Sequence, residues 1–358
     1  MIYLDNASTT PISEGIQELI LKTMKKFGNP SNNYSLGHET KQLIEHAREQ
    51  VASALGATPE EIYFTSGASE SNSMAIAQKK FCWASPYEHH SILYNPKVYI
   101  KNNLKEEILN QGNERIFNDL LISHMLVNNE TGEIFDITEL ANLCEKKSIL
   151  FHTDATQAIG KIEINVKKEK VKMLSLSGHK FNAPKGIGAI FIDKSIKATP
   201  FIIGGGQEKG LRGGTENVPY IVALGEAIEK ATDKIHQSYL YYQNLKEIFI
   251  KKLNQYNNID WRINSPYQNS TPSIINIAFK GIEGEIMAAM LAEKQIFVGT
   301  GSACNTGDFK PSHVLEAMNV PKEYINGAIR ISFGKQNTAE EVEKIIKEIV
   351  NIYKELIY

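Results

Sequence analysis

Two spacings of apolar residues alternate along the first two thirds of the chain. Apolar positions with helical spacing predict helices beginning near Ser13 and Gly37 and another over 137–146. Short apolar runs predict buried strands, which lie near 62–64, 121–128, 149–153, 173–176 and 189–192. Because strands that alternate with helices form sheets covered on both faces, this pattern predicts a doubly wound α/β domain with a mainly parallel sheet.

The last third of the chain has a different pattern. It predicts one long helix over about 219–253, with a domain boundary inside it near Lys234. An alternating strand over 275–279, a helix over 283–293, a loop over 298–304, a strand over 329–333 and a capped terminal helix follow. We therefore expect a large domain over 13–234 and a smaller α+β domain made of 1–12 together with 235–358.

Composition narrows the class of protein. The chain has 358 residues, 42% of them hydrophobic, which is enough for two cores. Its 39 Lys and Arg against 41 Asp and Glu give a net charge of -2, so no overall field attracts nucleic acid or an anionic membrane. No membrane-spanning run or signal-peptide pattern is present, and we expect a cytoplasmic protein. Three widely spaced cysteines favour free thiols over a disulfide framework or a metal site.

One lysine follows a predicted buried strand. The strand over 173–176 leads into a turn that carries Ser177, His179 and Lys180. Partial desolvation there would lower the pKa of the lysine and leave a neutral amine, which can form a Schiff base with an aldehyde such as pyridoxal phosphate. Taken alone, this turn is explained as well by a solvated surface lysine, so the hypothesis depends on what other segments supply.

Several polar residues would meet the needs of that cofactor. The turn over 65–69 joins a strand to a helix and could bind a phosphate, although an ordinary loop capped by Ser69 is an equal alternative. Asp154, at a strand end, could pair with the pyridinium nitrogen or cap the following helix. Gln157 could reach the ring hydroxyl. His89 could stack on the ring or simply be exposed.

Other residues suggest how a substrate would be held and attacked. Arg330 interrupts a buried strand and calls for an anionic partner, either a substrate carboxylate or, more simply, a structural salt bridge. Asn129 adds a neutral donor. Cys304 lies in a loop with glycines on both sides, which suits a mobile nucleophilic thiol. Cys82 and Cys144 are expected to be small buried hydrophobes.

The residues of these motifs and their order along the chain resemble those of group I, NifS/IscS-like cysteine desulfurases of the class V aminotransferase superfamily. The matching segments are YLDNASTTP from Tyr3, FTSGASESN from Phe64, VNNETG from Val127, HTDATQ from His152, SGHK from Ser177, GGQEKGLRGGTEN from Gly205 and GSAC from Gly301. Two departures are Gly299 and Thr300, which stand where the family usually has two serines. The resemblance implies a homodimeric pyridoxal phosphate enzyme of fold type I with a smaller C-terminal domain.

The resemblance also implies a role for each matching residue. Lys180 would be the Schiff-base lysine, Asp154 the pyridinium partner, Gln157 the contact of the ring hydroxyl and His89 the group over the ring face. The phosphate would be bound by Ala68, Ser69, Ser177 and His179, joined by Thr215 of the second subunit. Asn129 would contact the cofactor and, with Arg330, hold the substrate carboxylate, while Cys304 would take the sulfur.

The implied reaction converts L-cysteine into L-alanine and leaves a persulfide on Cys304. A sulfur-acceptor protein, in iron–sulfur cluster assembly or tRNA thiolation, would then receive that sulfur. The sequence leaves three alternatives open: a selenocysteine lyase, a class V aminotransferase, or a degenerate non-catalytic protein of sulfur relay or assembly. Only a sulfur-transferring enzyme needs Cys304 as a nucleophile. The need for that residue therefore distinguishes a cysteine desulfurase from a class V aminotransferase.

Overall fold

A computed structural model of the protein describes residues 1–301 and 311–357. The strands are β1 (Ile2–Leu4), β2 (Ile62–Thr65), β3 (Phe81–Ala84), β4 (Val98–Ile100), β5 (Leu120–Ser123), β6 (Leu150–Asp154), β7 (Met173–Ser177), β8 (Gly188–Ile192), β9 (Trp261–Ile263), β10 (Ile274–Phe279), β11 (Ile296–Thr300) and β12 (Ala328–Ser332). The helices are α1 (Glu14–Met24), α2 (Ser35–Leu55), α3 (Ala68–Ala77), α4 (His90–Leu93), α5 (Leu104–Leu109), α6 (Thr138–Lys146), α7 (Val218–Thr232), α8 (Ile235–Leu253), α9 (Gly284–Glu293), α10 (His313–Ala317), α11 (Lys322–Ile325) and α12 (Ala339–Ile357).

The chain divides into two compact units, and each is discontinuous in sequence. The large unit contains Pro11–Leu126 and Asp136–Lys234. The small unit contains Met1–Thr10, Val127–Phe135 and the described part of Ile235–Tyr358. The predicted division differs from this one chiefly at 127–135, which it assigned to the large domain.

Backbone contacts explain why 127–135 belongs to the small unit. Val127 and Ile134 form an antiparallel bridge, so the segment folds back on itself as a narrow loop. Its far end bridges to Ser270, and the Thr271 N–H donates to the Gly132 carbonyl over 2.8 Å. The predicted strand over 121–128 therefore ends early, at Ser123, because the residues after it pair with a distant part of the chain.

The large unit is built on a seven-stranded sheet in the order β2-β8-β7-β6-β5-β3-β4. Strands β4, β3, β5, β6 and β7 run parallel, and β8 is antiparallel to both of its neighbours. Strands β5, β6, β7 and β8 are buried along their whole length because helices cover both faces, as the apolar runs predicted. The carboxyl ends of β2, β3, β6 and β7 consequently lie along one sheet edge.

Helices α1, α2 and α7 pack together in the large unit. An added Cβ on Gly225 of α7 would lie 2.7 Å from the Cα of Ala47 in α2, so the two helices approach more closely than a side chain would allow. The predicted helix over 219–253 is wrong as a single element, since α7 ends at Thr232 and α8 begins at Ile235.

The small unit has a five-stranded sheet in the order β1-β11-β12-β10-β9. Strand β1 runs parallel to β11, and the other pairs are antiparallel. Strand β10 is buried throughout and is covered by apolar faces that include α8 and α12. The predicted loop over 298–304 is corrected at its start, where Gly299 and Thr300 continue β11 and pair with Arg330 and Ile329. Among the described residues, no helix is long and apolar enough to cross a membrane.

Candidate active site

Several polar groups follow strands at one edge of the large-unit sheet. The turn after β2 begins α3, the segment after β3 carries His89, β6 ends at Asp154, and β7 ends at Ser177. Parallel strands bring their carboxyl ends to the same edge, which is where ligands bind in open α/β sheets. The large unit therefore contains all the residues predicted to bind the cofactor except Asn129, which belongs to the small unit.

The turn before α3 is shaped to receive an anion. Gly67 precedes the helix with a φ of 154°, and a Cβ on it would lie 3.4 Å from the Ser177 hydroxyl. The next residues, Ala68 and the exposed Ser69, supply N–H groups of the first helical turn, which lack partners within the helix. The alternative that Ser69 caps the helix is wrong, because the N-cap is Gly67.

The same turn is anchored by an ion pair that the sequence did not predict. Glu70 accepts the Ser66 N–H over 2.8 Å, and Arg212 Nε donates to its other oxygen over 2.9 Å. Burial opposes ionisation of Glu70, but these hydrogen bonds outweigh it and lower the pKa of Glu70 below its ordinary value. Arg212 belongs to the glycine-rich segment that continues to Thr215, which is exposed.

Asp154 is a buried carboxylate with two neutral donors. It is 4% exposed, its Oδ1 accepts the Thr156 N–H over 2.9 Å, and its Oδ2 accepts Asn72 Nδ2 over 2.8 Å. The predicted alternative, an N-cap of a helix over 155–158, is wrong, because those residues form a turn; the Thr156 bond only closes that turn. Each oxygen keeps a lone pair for a further donor, so the carboxylate fits the protonated nitrogen of a pyridine ring.

His89 is held as the N-cap of the short helix α4. Its Nδ1 accepts the Ser91 N–H over 3.1 Å and lies 2.9 Å from the Ser91 hydroxyl. The ring is solvent-accessible, yet the surrounding protein desolvates it enough to lower its pKa, and the charge of Lys180 lowers that pKa further while Asp154 opposes the change. The imidazole is therefore neutral near pH 7.

Lys180 closes a single helical turn, Gly178–Lys180, directly after β7. Its charge affects the pKa of His89, His179 and Lys161, which indicates that these side chains lie around it. Burial lowers the pKa of His179 to about 4, with Lys180 and Lys185 contributing, so His179 is also neutral. A neutral imidazole beside Ser177 can donate a hydrogen bond to a phosphate.

Gln157 is buried and is held by a second lysine. Lys161 Nζ donates to the Gln157 backbone carbonyl over 2.9 Å and to its Oε1 over 3.1 Å. Burial lowers the pKa of Lys161 to about 7, and the charge of Lys180 acts in the same direction. These bonds hold Gln157 in a defined orientation. Lys161 was not predicted as a site residue, because a lysine beyond a turn normally points to solvent.

Glu88 is fully buried beside this cluster. Its Oε1 accepts the Met125 N–H over 2.6 Å and lies 3.4 Å from the Ser85 hydroxyl. Burial and, to a smaller extent, the negative charge of Asp154 raise the pKa of Glu88 to about 8, while the two hydrogen bonds act in the opposite direction. Glu88 is therefore protonated in the folded protein at neutral pH.

The high pKa of Glu88 predicts a pH-dependent stability. The unfolded carboxyl has its ordinary pKa of 4.5, so the folded state binds the extra proton between about pH 4.5 and about pH 8, and stability falls as pH rises through that window. Replacing Glu88 with Gln should remove this cost, which reaches up to about 5 kcal/mol at pH 8. Urea unfolding of both proteins at pH 5 and pH 8 measures it. If the difference in free energy of unfolding between the two proteins were no larger at pH 8 than at pH 5, the raised pKa of Glu88 would be contradicted.

In the small unit, Arg330 is 5% exposed and makes an ion pair. Its Nη2 donates to Asp5 Oδ1 over 2.8 Å and to the Ser8 hydroxyl over 2.6 Å, while Nη1 donates to the Asn129 carbonyl over 2.9 Å. The structural salt bridge, the simpler of the two alternatives, is thus present. A Cβ on Gly299 would lie 2.6 Å from Asp5 Oδ1, so the usual serine of the family could not stand there without moving this pair.

The predicted thiol nucleophile, Cys304, lies outside the described residues. Cys82 and Cys144 are free and buried, as predicted. Burial raises the pKa of the Cys144 thiol to about 12 and also raises that of Cys82, so neither is a thiolate near pH 7. Neither of these two cysteines is suited to the role predicted for Cys304.

The fold and its polar sheet edge define a class of protein. The sequence model of the aminotransferase class-V family matches residues 2–345, and the chain belongs to that family. Cysteine desulfurase IscS of Methanosarcina thermophila is 39% identical, in an alignment that covers 99% of this chain and 92% of that protein.

Solved structures agree with this assignment. An X-ray structure of a NifS-like protein from Rickettsia africae matches with a TM-score of 0.89 and 33% identity, covering 99% of both chains. A structure described as SspA in complex with cysteine matches with a TM-score of 0.79 and 32% identity, covering 93% of this chain and 99% of that one. The predicted fold and the predicted resemblance to NifS/IscS-like cysteine desulfurases are confirmed.

Proposed function

We propose that the protein is a pyridoxal phosphate-dependent cysteine desulfurase that converts L-cysteine to L-alanine and takes up the sulfur as a persulfide on Cys304. The observation that carries the proposal is the full-length likeness to proteins named for this activity. The likeness to a structure described as containing cysteine supports the same substrate. Asp154, Lys180 and His89 at one sheet edge supply the matching chemical groups.

The residues of the large unit fit pyridoxal phosphate. The turn before α3, with Ser177 and His179, would hold the phosphate, and Asp154 would hold the pyridinium nitrogen. Gln157, which is held by Lys161, would contact the ring oxygen. When bound through Lys180, the cofactor serves as an electron sink for the substrate α-carbon.

The chain's own groups would then carry out proton and sulfur transfer. With the substrate bound, the Lys180 amine would take the α-proton. The Nδ1 of the neutral His89 is engaged by Ser91, so its Nε2–H is the group that would hydrogen-bond to the substrate sulfur. The Cys304 thiolate attacks the substrate sulfur, so an S–S bond forms while the carbon–sulfur bond breaks, and the electron pair of that bond returns to the carbon fragment that becomes L-alanine.

Arg330 and Asn129 would hold the substrate carboxylate. Both terminal nitrogens of Arg330 already have partners, whereas its buried Nε has none within the described part of the chain. The anion would therefore share or replace the bonds to Asp5 and Ser8. A planar guanidinium that is already oriented by these groups costs little additional entropy when it binds a carboxylate.

A homodimer is part of the proposal. Large apolar side chains stand exposed on α1 and just after it, with Phe27 82% exposed beside Leu21 and Met24, and Ile203 is exposed in the glycine-rich segment. Contiguous exposed apolar surface is typical of protein interfaces. Binding of a phosphate by Thr215 of the second subunit remains a prediction, as do the cytoplasmic location and the identity of the sulfur acceptor.

Replacing Cys304 with alanine tests the activity directly. We expect release of L-alanine and sulfide from L-cysteine, measured with a thiol reductant, to fall at least about a hundredfold, because no other nucleophile takes the sulfur. The visible absorbance of the bound cofactor should be unchanged. Cys144→Ala is the matched control and should keep its activity.

The outcome also separates the alternatives. Undiminished alanine release by the Cys304→Ala variant would contradict the desulfurase mechanism and favour other pyridoxal phosphate chemistry, such as transamination. Rates on L-cysteine and L-selenocysteine, compared on the unmodified protein, distinguish a desulfurase from a selenocysteine lyase. A protein that binds the cofactor and is inert with both amino acids would favour the non-catalytic alternative.

A further inference from the structure

Two residues with no assigned role connect Asp154 with His89. Asn72 of α3 donates from Nδ2 to Asp154 Oδ2 over 2.8 Å and to the Ser91 hydroxyl over 2.9 Å. The Ser91 hydroxyl lies 2.9 Å from His89 Nδ1, and the Ser91 backbone N–H donates to the same nitrogen over 3.1 Å. A continuous hydrogen-bond chain therefore joins the carboxylate at the end of β6 to the imidazole that caps α4.

The donor and the acceptor of each bond in this hydrogen-bond chain can be assigned. The amide nitrogen of Asn72 carries two hydrogens; one goes to a carboxylate oxygen and the other to the Ser91 oxygen. The Ser91 oxygen is thus an acceptor, and its own hydrogen can point to His89 Nδ1. The Ser91 backbone N–H also donates to Nδ1, so the two hydrogens of Ser91 together favour an unprotonated Nδ1 in the neutral ring, with the proton on Nε2.

The orientation of the Asn72 amide is fixed by its surroundings. The side chain is fully buried, and its Oδ1 is buried with no hydrogen-bond partner among residues 1–301 and 311–357. The reverse orientation would place this oxygen against the Asp154 carboxylate, where two acceptors repel. The protein thus leaves one buried acceptor unsatisfied in order to direct both N–H groups of Asn72 toward Asp154 and Ser91.

We propose that Asn72 and Ser91 are positioning residues that hold His89 as its Nε2–H tautomer and couple that tautomer to the Asp154 carboxylate. The consequence for turnover rests on the proposed function, in which Asp154 and His89 serve the same bound ring. The tautomer itself is a property of the protein alone and can be measured without substrate or cofactor.

The first test is the nitrogen spectrum of His89 in the cofactor-free protein. With 15N-labelled histidine, the His89 signals are assigned by their loss in His89→Gln and recorded above the pKa of the ring. We expect the pattern of an unprotonated Nδ1 and a protonated Nε2. Ser91→Ala and Asn72→Ala should each move both signals toward a mixture of tautomers, and Ser73→Ala on the same helix should leave them in place. A protonated Nδ1 in the unmodified protein overturns the proposal.

The second test uses kinetics on the holoenzyme. Asn72→Ala and Ser91→Ala should each lower kcat for L-cysteine between about tenfold and a hundredfold, since a misdirected His89 lowers the fraction of productive complexes. Because the two residues act in one chain, the double variant should lose little more than the worse single variant. Multiplying losses would overturn the coupling. If the unmodified protein shows the expected tautomer but is inert with L-cysteine, the proposed function fails while the assignment of Asn72 and Ser91 stands.

Discussion

An Asp154→Asn variant is expected to lose at least about a hundredfold in turnover of L-cysteine and to bind pyridoxal phosphate more weakly. The substitution keeps the size of the side chain but removes the negative charge that would hold the pyridinium nitrogen protonated. It also disturbs the local hydrogen bonds. Both oxygens of Asp154 now accept N–H groups, from Thr156 and Asn72, and an amide can accept only one of them.

Steady-state kinetics and titration of the cofactor-free protein with pyridoxal phosphate measure this effect. Asp233→Asn, the same chemical change at an exposed residue after α7, is the matched control and should behave like the unmodified protein. If the Asp154→Asn variant kept both its cofactor affinity and its turnover, Asp154 would not be the partner of the ring nitrogen. The proposed cofactor site would then have to be placed elsewhere.

The second large effect concerns stability and lies at Arg48 of α2. Its Nη1 and Nη2 each donate to one oxygen of Glu208 over 2.8 Å, and Nη1 also donates to the Ile62 carbonyl over 2.7 Å. Glu208 in turn accepts the Phe64 N–H over 2.8 Å. Both charged side chains are buried. Burial alone would lower the pKa of Arg48, but its bonds to Glu208 and the nearby Glu45 raise it overall, so the guanidinium stays charged.

Removing Arg48 leaves the Glu208 carboxylate buried without its cation, so we expect Arg48→Met to lower the free energy of unfolding of the large unit by about 3 to 5 kcal/mol. Glu208→Leu should cost less, because Glu45 Oε2 still lies 3.2 Å from Arg48 Nε. The double variant should be less destabilised than the sum of the two, since it buries no lone charge.

Urea unfolding monitored by circular dichroism is the measurement for these variants. The exposed pair of Lys80 and Asp119 offers the comparison, and Lys80→Met should cost no more than about 1 kcal/mol. Equal losses at Arg48 and Lys80 would show that burial adds nothing to the pair. Glu208 lies in the segment that leads to Thr215, so its loss should also disturb that part of the proposed site.

The sequence predicted the parts of the site that follow strand ends. Asp154 ends β6 and Lys180 lies three residues after the end of β7, and the parallel order of the strands brings such positions to one edge. Asn72 and Ser91 could not be found this way. Each is a small polar residue in or beside a helix, where solvent exposure is the ordinary expectation, and only the packing of α3 and α4 reveals their partners.

The errors in the predicted elements share a physical cause. Apolar spacing continues through Asp233 and Lys234, and no glycine or proline marks the break between α7 and α8. Gly299 and Thr300 suggest a loop by composition, yet pairing with β12 makes them strand. The segment over 127–135 joins the small unit through residues near Ser270. In the last two cases contacts between distant parts of the chain override the local signal.

The pairing of β1 bears on the order in which the protein is assembled. Residues 2–4 align with 296–298 of β11, and Asp5 bridges to Ser332, so these residues find their partners only after a segment about 300 residues later has been made. A deletion of Ile2 to Leu4 would accordingly act on the small unit. It would loosen the strand that carries Asp5 to Arg330, although the large unit comes next in the sequence.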